Sequence, residues 1–415
     1  QRTDRAQADF ARLNIIQEPL TGPVDPAFAV SYALRHNLDY RVRVFEEFVA
    51  RAQFDVTSWD ILPRIEAEAG YYWRSNEPAA RSKVLGTGSL SQFESVSADR
   101  QGYTWSMPLV INALDIGINY ARAKQASDQR HISFERRRKI AQNVVQETVS
   151  AYWMAVAAES LLPAFDELIQ YVHTVAGSMN AAASEGLVSR DDSFRFEREL
   201  YATVEQLLDR RYELQSYRLK FASLLSLPPQ ASIRLAHRRV TPMAAFRPSS
   251  LKPLVTTALA RRPELSQEDY AARITSYETE RALLSIFPTL KAFDGPRSDT
   301  NSYLTYNQWT AAGATVSMNL LKLLSLPAVI AQQESQQTLN YTRRLQISMA
   351  IYIQIYLAVA EIRNNELAIS ISRKVHAADK ELVDSARSQV RAERAGVFEL
   401  ARRSEEHTSE LQSPY

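Results

Sequence analysis

The stretch that decides the fold is RRRKIAQNVVQETVSAYWMAVAAESLLPAF, residues 136–165. Apolar residues recur in it three and four positions apart, at Ile140, Val144, Ala151 and Ala155, whereas its first four residues are all basic. This period is typical of a helix that packs one face against other helices and leaves the opposite face in water.

The same helical pattern continues on both sides of this stretch, from Ile116 to about Ser184. It is interrupted by one proline, Pro163, and has no glycine between Gly117 and Gly177. At about 1.5 Å per residue, such a helix would be roughly 100 Å long, which exceeds the width of an ordinary globular domain. We therefore expect an elongated helical protein, with the other segments at the ends of this helix or alongside it.

The composition excludes several classes of function. The chain of 415 residues has no cysteine, so it has no disulfides, thiolate metal sites or cysteine nucleophiles. Its 49 basic and 47 acidic residues leave a net charge of +2, and no cationic excess indicates a nucleic-acid partner. Without a run of about 18 consecutive apolar residues, no transmembrane helix is expected.

The N-terminal part predicts an arm followed by a helix. Residues 1–24 are polar with little periodicity and are expected to form an extended arm. Asp25-Pro26 predicts a helix start, because aspartate caps a helix and proline fits its first position. This helix is expected to reach about Trp59 and to end at Leu62-Pro63.

The hydrophobic period then changes from a helical one to two. Apolar and aromatic residues occupy odd positions in residues 64–73 and again in residues 102–109. Two strands of about ten residues, each with one apolar face tipped by tyrosine and tryptophan, fit a transmembrane β-hairpin with an aromatic girdle. A soluble hairpin packed on a protein core would show the same alternation.

The long helix is predicted to turn back at residues 184–192. Gly186 suits a left-handed C-cap, Ser189 suits an N-cap, and Asp191 and Asp192 suit the first turn of the next helix. That helix is expected to reach about Ser226, and residues 227–248 are expected to be a linker.

The chain then repeats its own pattern. Ala33-Leu34 and Ala258-Leu259 are 225 residues apart, as are Leu62-Pro63 and Phe287-Pro288. A weak strand over residues 289–294 and a clear alternation over residues 312–320 precede a second long helix, from about Pro327 to Arg394. We expect two tandem units of helix, hairpin, long helix and tip, over residues 25–226 and 249–402.

The tail over residues 403–415 is excluded from this scheme. It resembles an in-frame translation of a sequencing adapter and is expected to be non-native. The second unit is accordingly expected to be truncated at its tip.

The doubled pattern resembles the TolC-type outer-membrane efflux family over residues 26–402. The motifs that carry the resemblance are Ala33-Leu34-x-x-Asn37-x-Asp39 and Gly186-Leu187-x-Ser189 followed by Asp192, Phe194 and Leu200. The resemblance implies a mainly α protein with transmembrane β: a homotrimeric, twelve-stranded β-barrel continued by an α-helical barrel. Four strands per chain cannot close a membrane barrel alone, so pairing with other copies is expected on physical grounds as well.

The resemblance also implies a function and a set of sites. The chain would be the passive outer-membrane duct of a tripartite efflux or type I secretion system, extending into the periplasm. It would contact outer-membrane lipid and a periplasmic adaptor, and through the adaptor an inner-membrane pump. The expected adaptor-binding tip comprises Gly186, Leu187, Val188, Ser189, Asp191, Asp192 and Gly396. The expected girdle comprises Tyr71, Trp73, Tyr103, Trp105, Tyr306 and Trp309, and the expected lumen-facing residues are Arg64, Glu66 and Glu68.

An enzymatic function is not expected. The six histidines are scattered along the chain without metal-ligand spacing, and no glycine-rich phosphate loop precedes a helix. We expect no cofactor and no metal. The alternative to a membrane duct is a soluble periplasmic coiled-coil scaffold or adaptor with small β insertions, and the alternating strands are the segments that distinguish the two.

Overall fold

The computed structural model describes residues 1–13, 20, 22–83, 85–236 and 246–391, with the side chains of residues 389–391 left out. Gly396 and the tail 403–415 lie outside the described residues. The chain divides into two compact units: one comprises Gln1–Phe45, Arg136–Pro263 and the residues from Ile347 onwards, and the other comprises Glu46–Glu135 and Glu264–Gln346.

Within the described residues, the secondary structure is predominantly helical, with eight short or medium strands. In chain order the elements are α1 (Arg2–Leu13), α2 (Pro26–His36), α3 (Leu38–Trp59), β1 (Arg64–Ile65), β2 (Glu68–Trp73), β3 (Ala79–Ala80), β4 (Ser95–Val96), β5 (Gln101–Ser106), β6 (Leu109–Asn112), α4 (Ala113–Ser184), α5 (Arg190–Leu224), α6 (Lys252–Arg261), α7 (Pro263–Leu284), β7 (Thr289–Asp299), β8 (Gln308–Ser317), the 3₁₀ helix η1 (Leu320–Ser325) and α8 (Leu326–Arg391).

The predicted helical seam forms the main core of the first unit. Val144, Ala151, Tyr152 and Ala155 of α4 are buried against α2 and the end of α5. The Tyr152 hydroxyl donates a hydrogen bond of 2.7 Å to the carbonyl of Ala236, so its polar atom is satisfied inside the core. Helix α4 passes through Pro163 without interruption.

One expectation for the first unit was wrong. Residues 2–13 form α1 and are not part of an extended arm, because alanine, arginine and glutamine favour helix and Asp4 and Arg12 complement its dipole. The start of the expected linker is packed into the core: Leu227, Ile233 and Leu235 are buried, and Leu235 bridges Val24 in parallel. Residues 237–245 of that segment lie outside the part of the chain described.

The helix predicted over residues 25–59 begins as expected but is broken at Asn37. Asp25 caps its start by accepting a 2.7 Å hydrogen bond from the backbone N–H of Phe28. Asn37 leaves the helical conformation (ψ 123°), and its side chain accepts from the Tyr40 N–H and donates to the Leu224 carbonyl. These two bonds stabilise the break, which helix propensity alone does not reveal.

An equivalent break recurs 225 residues later. Arg262 adopts nearly the same conformation (ψ 128°) between α6 and α7, and α7 has 22 residues, the same number as α3. Strands β1 and β7 also begin 225 residues apart, at Arg64 and Thr289.

The second unit contains a curled antiparallel sheet of four successive chain segments. β1 and β2 are consecutive parts of the first segment, β5 and β6 of the second, and β7 and β8 are the third and fourth. The first segment pairs with the second, the second with β7, and β7 with β8. The first segment and β8 are therefore the two open edges of the sheet.

Strand β7 is longer than predicted, because it continues through Gly295-Pro296 to Asp299. The neighbouring strand is interrupted there, at Met107-Pro108. A Cβ atom on Gly295 would lie 2.4 Å from the Cα of Pro108, so only glycine admits this approach. The Met107 N–H donates to the Pro296 carbonyl, which keeps the two strands joined across the interruption.

The helices of the second unit are joined by a partly buried ion pair. The carboxylate of Asp128 on α4, 6% exposed, accepts hydrogen bonds from Nε (3.1 Å) and Nη2 of Arg273 on α7. The hydrogen bond to Asp128 raises the pKa of the Arg273 guanidinium. Gln125 reinforces the contact by donating to the Ile274 carbonyl and accepting from Arg281.

We expect Asp128→Ala to lower the free energy of unfolding by about 1–3 kcal/mol, because it removes charge-assisted hydrogen bonds from a buried site. Asp269→Ala is the matched control: Asp269 pairs with Arg344, but its side chain is 62% exposed. Its loss is expected to cost less than about 1 kcal/mol. Thermal unfolding in detergent would measure the stability of both variants. Equal losses of unfolding free energy would contradict the assignment of Asp128 as the residue that stabilises the structure more.

One helix differs in composition from what the expectation of no transmembrane helix assumes. Among the described residues, the helical stretch Leu320–Ser388 is long and apolar enough to cross a membrane by length and composition, although only 11% of the relevant window is buried. One such helix is weak evidence for a membrane span, because helices that pack on other helices pass the same test.

Candidate membrane face and helical tip

The strand register gives the sheet two chemically distinct faces. Directly paired residues lie on the same side of a sheet, and side chains alternate along each strand. Following the pairs from β1 to β8 puts odd residues of β1, β2, β5 and β6 on one face together with even residues of β7 and β8. We call this the apolar face and the opposite one the polar face.

The apolar face is exposed to the surroundings rather than packed on a core. Its members include Ile65, Tyr71, Trp73, Tyr103, Trp105, Leu109, Ile111, Leu290 and Val316, and every one of them is exposed. The Tyr71 and Tyr103 rings lie 5.1 Å apart on neighbouring strands. Asp294, between Leu109 and Ala312, is the one acidic or basic side chain among the paired residues of this face.

The polar face is the more closely packed of the two. Val110, Gly102 and Gly295 are buried on it. The ring of Tyr72 covers Gly102 and that of Phe293 covers Gly313, so closely that a Cβ at either glycine would lie within 2.8 Å of ring atoms. Small residues under aromatic rings are expected on the inside of a curled sheet.

The structure places the predicted lumen-facing residues as follows. Arg64 and Glu68 lie on the polar face, paired with Val110 and Ser106. Glu66 lies between β1 and β2, where its N–H donates to the Pro108 carbonyl. Sequence reasoning missed three further charges on this face, at odd positions of β7: Lys291, Arg297 and Asp299. Because all three occupy odd positions of the strand, the period-two alternation of its sequence could have predicted that they share a face.

The predicted girdle residues do not all share one face. Tyr71, Trp73, Tyr103 and Trp105 lie together on the apolar face. Trp309 pairs with Arg297, which pairs with Ser106, so Trp309 lies on the polar face, opposite to Trp105. Tyr306 lies in the connection between β7 and β8 and is exposed.

At the α4–α5 connection, the structure shows the predicted turn. Gly186 has φ +74°, and the N–H groups of Leu187 and Gly186 donate to the carbonyls of Ala182 and Ala183, which is the Schellman pattern of helix termination. The Ser189 hydroxyl caps α5 by accepting from the Asp191 N–H at 3.2 Å.

Behind this turn, the two helices are held together by a small apolar cluster. Val172, Ala176, Leu200 and Val204 are buried, and Phe196 packs against them. At the turn itself the pattern is reversed: Leu187 is 73% exposed, Phe194 is exposed, and Asp191 and Asp192 are exposed beside them. The tip therefore presents apolar and acidic side chains at the end of two packed helices.

Histidines and acidic residues do not gather anywhere in the described part of the chain. No group of three or more His, Asp or Glu side chains with metal-binding geometry occurs there. His131 instead stacks on Tyr270, with ring centroids 5.0 Å apart, and His36 lies tilted against Tyr32, with centroids 4.3 Å apart.

Comparison with known proteins gives matches by structure. No protein-family model matches the sequence, and no curated protein matches it. The outer-membrane channel OprN superposes with a TM-score of 0.70 at 15% identity, over 93% of this chain and 84% of that one. The CmeC outer-membrane channel of Campylobacter jejuni gives 0.70 at 13% identity, over 96% and 86%.

The open state of the MtrE outer-membrane channel of Neisseria gonorrhoeae gives a TM-score of 0.66 at 14% identity, over 92% of this chain and 83% of that one. These matches cover the helices and the sheet together, and at such identities they establish architecture. The chain has the fold of the TolC-type outer-membrane channels.

Proposed function

We propose that this protein is a passive duct of the bacterial outer membrane that extends into the periplasm, and that it serves a tripartite efflux or type I secretion system. The observation that carries the proposal is the exposed apolar face of the sheet. A soluble scaffold, the alternative from the sequence, would turn such a face inward and expose the polar one. In a membrane barrel the apolar face contacts lipid and the polar face lines the channel.

The open edges of the sheet support assembly from several chains. Backbone groups at an unpaired edge cost several kcal/mol each in hydrocarbon, so the first segment and β8 must pair with other copies. We infer a homotrimer with a twelve-stranded barrel, the arrangement that the family resemblance implies. The matching break positions and helix lengths of α3 and α7 support a tandem repeat, through which each chain supplies two similar sectors.

The exposed side chains of the tip suggest the kind of partner that the duct would bind. Its exposed Leu187, with Asp191 and Asp192 beside it, suits contact with a periplasmic adaptor, which would connect the duct to an inner-membrane pump. Because the duct is passive, the energy for transport comes from that pump. No catalytic step is assigned to this chain.

Fractionation tests the proposal. We expect the expressed chain in the outer-membrane fraction, extracted only by detergent, as a species of three times 47.0 kDa that dissociates on heating in dodecyl sulfate. Light scattering corrected for bound detergent gives the mass. A monomer recovered from the periplasm without detergent would contradict the duct and favour the scaffold.

A further inference from the structure

The connection between β8 and α8 is a short, well-formed 3₁₀ helix with the sequence LLKLLS. Asn319 caps its start, since the side-chain oxygen accepts a 3.1 Å hydrogen bond from the Leu321 N–H. The Ser325 hydroxyl donates to the Lys322 carbonyl at 2.6 Å. Both ends of η1 are thus fixed by side-chain hydrogen bonds, so its side chains have defined directions.

These directions leave the leucines outside. A 3₁₀ helix has three residues per turn, so side chains three apart form ridges. Leu320 and Leu323 form one ridge, Leu321 and Leu324 a second, and Lys322 and Ser325 a third. The Lys322 ammonium donates to the Ser285 carbonyl at 3.5 Å, next to the C-terminal end of α7. Lys322 and Ser325 are themselves exposed, and the polar ridge contacts the rest of the protein through this bond.

The four leucines are exposed, by 69% for Leu320, 76% for Leu321, 44% for Leu323 and 78% for Leu324. An amphipathic turn on a water-soluble surface would have its leucines packed against the protein.

The exposed leucines continue the apolar face of the sheet. Ala314 and Val316 lie on that face of β8, and Met318 and Leu320 follow at the same alternation. Beside them is an open cleft of about 680 Å³, whose lining includes the apolar Leu114, Ile118 and Phe287 and the polar Ser285, Thr289 and Lys322.

We propose that η1 is an interfacial lipid anchor, whose leucines insert among the phospholipid acyl chains at the periplasmic rim of the barrel. The proposal rests on the duct function, because it requires the sheet to lie in a membrane. Two leucine ridges point in different directions, so one flat protein surface would cover only one of them. Fluid acyl chains cover both.

Site-directed spin labelling tests this directly, because the chain has no cysteine and one introduced thiol is therefore unambiguous. The full chain would carry Leu321→Cys or Leu324→Cys in vesicles of phosphatidylethanolamine and phosphatidylglycerol. The label's collision rates with oxygen, which enters hydrocarbon, and with a water-soluble nickel chelate would be measured. Val316→Cys on the apolar face is the lipid reference, and Leu187→Cys at the tip is the water reference.

We expect the ratio of oxygen to nickel accessibility at positions 321 and 324 to lie near that at position 316, and about tenfold above that at position 187. A ratio matching position 187 would overturn the anchor. So would inaccessibility to both reagents, which would show that another copy of the chain covers η1. A water-like ratio at position 316 itself would refute the proposed duct, so the two failures are distinguishable.

A second measurement examines the leucines without a label. Leu321→Ser combined with Leu324→Ser is expected to reduce the fraction of protein that inserts into these vesicles by several-fold. The control combines Leu85→Ser with Leu90→Ser, which removes two exposed leucines from the connection between the first two sheet segments and is expected to leave insertion unchanged. Equal insertion of both double variants would contradict the anchor.

Discussion

Arginine at position 314 is expected to prevent assembly of the trimer, whereas arginine at position 315 is expected to be tolerated. Ala314 lies on the apolar face, in line with Ala292 and Ile111, and is exposed. If this face contacts lipid, Ala314→Arg puts a charge in hydrocarbon at a cost of about 2–4 kcal/mol in each chain. Thr315 faces the proposed channel, where water solvates the same charge.

Thr315→Arg is a demanding control, because it adds a charge next to Lys291, the paired residue on β7. Like charges across a strand pair are expected to cost less than about 1 kcal/mol. The heat-modifiable trimer in the outer-membrane fraction would be quantified for both variants. If Ala314→Arg assembled as well as Thr315→Arg, the apolar face would not be in lipid, and the duct would lose its main support.

Leu187→Asp is expected to abolish export while trimers still form and insert. The side chain of Leu187 is 73% exposed, so its replacement removes little packing within the chain. An aspartate at this position would lose its hydration on contact with an apolar partner surface, which is unfavourable. Its negative charge would also disturb a surface that accommodates Asp191 and Asp192. Gly186→Asp is expected to act similarly, with an added cost for its left-handed backbone.

Export would be measured as drug susceptibility of a strain that depends on this duct. Gly177→Asp is the matched control: it adds the same charge on α4, ten residues before Leu187, at an exposed position with no atom within 4 Å of the new Cβ. We expect this variant to retain export. Unchanged susceptibility for Leu187→Asp, with normal amounts of trimer, would show that the tip does not contact the partner as proposed.

The features that sequence reasoning predicted correctly depend on local interactions. The turn at Gly186 and the cap at Ser189 involve residues within a few positions of one another, so their residue types suffice to predict them. The strands around Tyr71 and Tyr103 follow from period-two alternation, and the seam at Val144 and Tyr152 from a helical period.

The features that it missed depend on distant partners. The break at Asn37 is stabilised partly by Leu224, and the burial of Leu235 by the core around Tyr152. The length of β7 depends on the interruption at Pro108 in its neighbour. Helix α1 is the exception. Its residues favour helix, but the prediction of an extended arm gave more weight to their polarity.

The amino-acid sequence by itself determined the order of helices and strands, the tip, and the division of each strand into an apolar and a polar side, because these are set by backbone propensity and by the period of the side chains. Only the tertiary structure decided which side faces outward, that Trp309 lies opposite to Trp105, and that four leucines of η1 are exposed. Such relations depend on strand register and on contacts between residues far apart in the chain, which no local pattern encodes.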